Sequence, residues 1–142
     1  MKKLFLSMLV LLVLGSTAFA SRTTYKTLRI SGAEINSYAI PSGATITSDS
    51  VYQAGNIGYG SLLTSVSGNV TISQQVSIDG TNWFTPYTTD GSTLTTAGTI
   101  ASAVTADRWI ILTAKLAPYV RFVYASSGAS TITSKYVWQN ND

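Results

Sequence analysis

Histidine and cysteine are both missing from this chain. Their absence removes Ser-His-Asp and Cys-His nucleophiles, thiol redox chemistry and the usual zinc and copper ligand sets. No disulfide can brace the fold, so durability outside a cell must come from packing, assembly or bound ions. Carboxylates are few: the acidic residues are Glu34, Asp49, Asp79, Asp90, Asp107 and Asp142. A glycosidase needs two carboxyl groups facing each other across a sugar, whereas Asp79, Asp90 and Asp107 sit at turn-type positions that explain them without chemistry. The expectation is a protein that is not an enzyme and needs no cofactor.

Charge of either sign is scarce as well, at 11% of the residues. Nine basic residues against six acidic ones give +3 for the whole chain, but Lys2 and Lys3 belong to a leader; without them seven face six, a net of +1. Lys26, Arg29, Arg108, Lys115, Arg121 and Lys135 are scattered and form no block. Such a chain carries no electrostatic footprint for nucleic acid or an anionic membrane.

What is present begins with an address. Lys2 and Lys3 are followed by an uncharged apolar run, Leu4 to Leu14, and then by Gly15 and Ser16. Ala18-Phe19-Ala20 sets small residues at the two positions a signal peptidase reads. The run is about 11 residues, short of the roughly 20 that a spanning helix needs. Residues 1–20 are therefore expected to be a cleaved signal peptide. The mature protein would start at Ser21, be secreted or held at the cell surface, and touch no membrane after cleavage. The remaining chain suits one domain with a real core. It is rich in Ser and Thr, which favour strands and give a soluble surface with little self-repulsion.

Hydrophobic period 2 dominates after the leader. Val70, Ile72, Val76 and Ile78 alternate with Thr71, Ser73, Gln75 and Ser77, with Gln74 the exception on the apolar face. Val120, Phe122 and Tyr124 alternate with Tyr119, Arg121 and Val123, and Ile132, Ser134, Tyr136 and Trp138 with Thr133, Lys135 and Val137. These patterns predict strands with one buried and one wet face. Weaker strands are expected at 27–30, 35–40, 59–66, 83–87, 99–104 and 109–113. Residues 107–116 have some helical character, but Ile110-Ile111-Leu112-Thr113 leans to strand and Pro118 follows closely. Turn signals separate the strands at Ser31-Gly32, Pro41-Ser42-Gly43, Ser67-Gly68-Asn69, Asp79-Gly80, Asp90-Gly91 and Ser126-Ser127-Gly128. The expected fold is all-β: a single antiparallel β-sandwich, jelly-roll-like, with residues 21–55 as N-terminal strands or an extension and 56–142 as the core.

The most informative local pattern is Ser77-Ile78-Asp79-Gly80-Thr81-Asn82-Trp83. Asp79-Gly80 supplies the positive-φ position of a tight turn, Asn82 can close an Asx-type turn, and Trp83 starts the returning chain. With Ala117-Pro118-Tyr119-Val120-Arg121-Phe122-Val123 downstream, it resembles small β-sandwich domains of tailed-phage virion proteins, in which an S-x-D-G-x-N-W turn precedes such a strand. Similar modules occur in bacterial surface and carbohydrate-binding β-sandwiches. The resemblance covers roughly residues 60–138 and implies a fold and an architectural role, with no catalytic residues. The leader favours an exported cellular protein built on the same module.

The leading expectation is thus a secreted structural or surface subunit that self-assembles into a filament, surface layer or particle as a homo-oligomer. In that reading residues 27–40 either add to a neighbour's sheet edge or fold back onto their own sheet. The alternative is a carbohydrate-binding β-sandwich with a glycan partner, in which Tyr52, Tyr59 and Trp83 are the stacking candidates; a further alternative is a virion decoration protein. Asp79 and Asp90 are candidate calcium ligands should their hairpins end at one edge. Asn69-Val70-Thr71 matches a glycosylation sequon at a strand start, where a chance match is common.

Overall fold

The structure is a computed structural model describing residues 22–53, 59–89, 94–96, 99–114 and 117–140. The leader expected at residues 1–20 lies outside them. The strands are, in chain order, β1 (Arg22–Thr27), β2 (Arg29–Ile30), β3 (Ala33–Glu34), β4 (Tyr38–Ile40), β5 (Thr45–Thr47), β6 (Val51–Tyr52) and β7 (Tyr59–Val66). Then come β8 (Val70–Ser77), β9 (Tyr87–Thr89), β10 (Leu94–Thr96), β11 (Thr99–Val104), β12 (Arg108–Ala114), β13 (Tyr119–Ser126) and β14 (Ser130–Asn140). Among the described residues there is no helix. Within residues 107–116, the one helical competitor, Arg108–Ala114 is extended: the β-branched pair Ile110-Ile111 favours the pleated surface.

These strands make an antiparallel β-sandwich of the expected class. In the first sheet, β14 is flanked by β1 and β4 on one side and by β7 on the other, with β12 beyond it at the edge. The second runs β11-β8-β13, and β5 and β6 share the far side of β13. β2 with β3 and β9 with β10 form two-stranded ribbons. The N-terminal strands pair within their own chain, β1 and β4 along β14 and β2 against β3.

The two inner faces meet in one core. Leu62, Leu112, Ile132, Tyr136 and Trp138 come from the first sheet, and Val70, Ile72, Val104, Val120, Phe122 and Tyr124 from the second; Leu28 and Ile35 are buried with them. Removing these side chains from water is the main favourable contribution to folding. Polar groups join the sheets: Tyr124 Oη and Ser134 Oγ are 2.8 Å apart, and the Tyr136 hydroxyl donates to Gln53 Oε1 at 2.6 Å. Phe122 and Trp138 pack against the Tyr136 ring, with centroids 5.5 and 5.3 Å away.

Three differences from the periodicity are instructive. β8 changes phase at its end: Ser77 turns inward and Ile78 is 78% exposed, because Ser77 Oγ is drawn into the following turn. The strand expected at 83–87 shrinks to a single bridge, Phe84 to Val76, and the pairing resumes as a separate ribbon at Tyr87. β5 and β6, at three and two residues, were not anticipated, being too short to carry a period. The edges at β11 and β12 are irregular. β11 shifts register twice and holds Ala103 at φ 51°, and β12 shifts between Ile111 and Ala114. Bulged edges oppose pairing with a second chain.

Candidate functional site

The S-x-D-G-T-N-W pattern closes as a self-contained turn. Asp79 Oδ1 accepts from the Ser77 hydroxyl at 2.9 Å and from the backbone N–H of Thr81 and Asn82 at 2.9 and 2.8 Å. Its Oδ2 accepts from the Asn82 amide at 2.7 Å. Ser77 Oγ accepts in turn from the Gly80 N–H at 2.9 Å, and Gly80 sits at φ 78°. The bonds from the Asn82 and Thr81 amides, then from the Asn82 and Ser77 side chains, hold the Asp79 carboxyl well below the usual carboxylate range. Both carboxylate oxygens are therefore engaged in closing the turn. Asp90, the second candidate calcium ligand, lies outside the described residues, and no group of three or more acidic side chains gathers among the described ones.

The stacking candidates separate. Tyr52 and Trp83 reach the outer face of the second sheet. Tyr52 is 57% exposed and lies against Tyr119, its register partner, with centroids 4.9 Å apart and planes tilted by 40°. Trp83 is half-buried beneath the Arg121 guanidinium, 4.2 Å from its ring centroid, and Arg121 Nε donates to Gln75 Oε1 at 2.7 Å. One indole face is thus already taken by a cation. Tyr59 opens β7 in the first sheet, and its side chain lies outside the described ones.

A different aromatic stands open. The alternation that sends Ile110 and Leu112 to the core sends Trp109 and Ile111 outward, 65% and 74% exposed. Trp109 lies opposite Leu63, Leu63 opposite Lys135 and Lys135 opposite Thr27, one row across the outer face of the first sheet. The next row runs Ile111, Ser61, Val137 and Tyr25, the last 71% exposed. Beside Trp109 is a groove of about 380 Å³, lined by Leu63, Thr64, Ser65, Asp107, Arg108, Thr133 and Lys135. It joins an apolar floor and an indole edge to hydroxyls and charges of both signs. Nothing in the sequence singles out Trp109 from the other rings as the exposed one except its alternation with Ile110, and Lys135 as its neighbour is set by the order β14-β7-β12.

No family model matches the chain, and no curated protein matches it. Among solved structures it is similar to a mutant of CBM29-2, a family 29 carbohydrate-binding module, at 15% identity and a TM-score of 0.36, over 83% of this chain and 86% of that one. It is similar also to CsCBM6-3 from Clostridium stercorarium in complex with cellobiose, at 14% identity and a TM-score of 0.35, over 87% and 88%. A further family 29 carbohydrate-binding module has 15% identity and a TM-score of 0.29, over 84% and 86%. The leading expectation of a self-assembling structural subunit is corrected here: the three neighbours are carbohydrate-binding modules, the class named by the alternative.

Proposed function

We propose that this chain is a non-catalytic carbohydrate-binding domain, exported by its leader, that holds a glycan on the outer face of the first sheet. The observation that carries the reading is Trp109, an indole left 65% exposed on the edge strand β12 beside a largely apolar groove that hydroxyl-bearing and charged residues also line. An exposed indole is an apolar surface that water solvates poorly, and a pyranose ring offers it a face of C–H groups. The hydroxyls around the sugar's rim then need partners. Ser65, Thr133 and Asp107 can accept from them and Arg108 and Lys135 can donate. Hydrogen-bonded strands place these groups before the ligand arrives, which lowers the entropy lost on binding.

The test is affinity electrophoresis of the purified protein through gels containing soluble polysaccharides, followed by calorimetry on those that retard it. Trp109→Ala should weaken the best glycan by about tenfold or more, the loss of one well-packed aromatic contact. Its circular dichroism should stay unchanged, because the side chain lies outside the core. Tyr52→Ala, on the opposite sheet, should leave binding as it was. Retardation untouched by Trp109→Ala would sink the proposed site.

A further inference from the structure

Resting on the carbohydrate reading, we infer that the sugar taken by the Trp109 groove is acidic, carrying a carboxylate or a sulfate ester. Two cations line the groove, Arg108 and Lys135, against one carboxylate, Asp107. Neither cation has an ion-pair partner among the described residues, where the one salt bridge joins Arg29 to Glu34 at 3.6 Å elsewhere. Their charge is therefore not consumed by the fold. This local excess stands out in a chain that, without Lys2 and Lys3, has seven basic and six acidic residues in all.

Placement adds to the charge count. Lys135 lies in the same row as Trp109, two strands away through Leu63, which is about 10 Å across the sheet at the usual strand spacing. Arg108 precedes Trp109 on the same strand. A ring resting over Leu63 thus has Lys135 at its flank, while Arg108, one position from Trp109 and so on the alternate side of the strand, lines the groove from the start of β12. Guanidinium pairs with carboxylate or sulfate oxygens through two parallel N–H donors, and an ammonium serves as a second point charge. Asp107 accepts from sugar hydroxyls and disfavours a ligand of very high anionic density. A neutral sugar would leave both cations without their strongest class of partner. The contribution of each is modest because the groove is open to water.

The experiment uses two matched pairs of polymers, polygalacturonate with its methyl ester and dextran sulfate with dextran, in buffer of about physiological ionic strength. The inference expects at least one charged member to bind about tenfold more tightly than its neutral counterpart. Which pair shows the difference tells carboxylate from sulfate. An Arg108→Gln/Lys135→Gln double variant should erase the preference while keeping its fold, and Trp109→Ala should weaken binding to the charged polymer as well. Equal binding within both pairs overturns the inference and leaves the carbohydrate reading standing. A preference that survives the double variant, or that Trp109→Ala does not touch, is general polyelectrolyte attraction and also overturns it. Failure to bind these four polymers or any other soluble glycan would remove the carbohydrate reading itself.

Discussion

Tyr124 and Ser134 meet at the centre of the sandwich, both buried, one from each sheet. A hydroxyl pair here ties the sheets at one register, since a buried hydroxyl without its partner is costly. Tyr124→Phe should therefore destabilise the protein by about 1–2 kcal/mol, read from the urea midpoint at constant slope. Tyr124→Phe combined with Ser134→Ala should cost less than the sum of the single changes, because the double variant strands no hydroxyl. The same burial governs the response to alkali. Burial pushes the Tyr136 phenol from 10.0 up to about 12 and the Tyr124 phenol higher still. Well below pH 10.0 both phenols are neutral in either state and their packing is fully available. Above it the unfolded chain releases protons that the folded chain retains, so stability falls progressively as pH rises toward the folded values. Denaturant midpoints taken from about pH 9 to about pH 12 should decline steadily; a flat profile would contradict the buried phenols.

At the scale of the element, the turn after β8 depends on Asp79 and Gly80. Gly80→Ala places a Cβ in the left-handed region at φ 78°. Space is not the obstacle, since the new atom would meet the Tyr119 ring at an ordinary 3.4 Å. The backbone penalty alone should cost about 1 kcal/mol. Asp79 gives the acid counterpart of the tyrosine argument. Its lowered value means that its contribution to the turn is complete above the ordinary 3.8 and is lost only as pH falls through the folded value. Its carboxyl carbon signal in NMR should accordingly stay that of a carboxylate as pH is taken down through 3.8. This turn was legible in the sequence because every bond in it joins residues 77–82, so composition and spacing carry all of its geometry. β13 and β14 were legible too, because a strand with one buried face must alternate. The Trp109 groove was not, since it draws on β7, β12 and β14. No local pattern says that Lys135 and Trp109 share a row. Trp83 illustrates the reverse failure: it is where the sequence put it, but a guanidinium supplied from residue 121 covers one of its faces.

Across the whole molecule, the division between the closed inner faces and the open outer ones decides what the protein offers to partners. The interior is spent on holding the sheets together, and the edges are shortened or bulged at β5, β6, β11 and β12. Edges of that kind do not template a second chain, which leaves β1, six residues in unbroken register, as the regular edge; light scattering at tens of micromolar should return the mass of a single chain, and a concentration-dependent series of larger masses would point to pairing through β1. The outer faces carry the exposed aromatics instead, Trp109 and Tyr25 on one and Tyr52 on the other. The three indoles of the chain consequently occupy three environments: Trp109 in solvent, Trp83 beneath a cation and Trp138 in the core. In optical terms the protein carries its own pair of reporters. The most red-shifted emission, and the most open to acrylamide, belongs to Trp109 and will be shielded when a ligand covers the groove. The blue emission of Trp138 resists quencher until the sandwich opens. Occupancy and unfolding can thus be followed separately, by colour and by quenching, in one unlabelled sample.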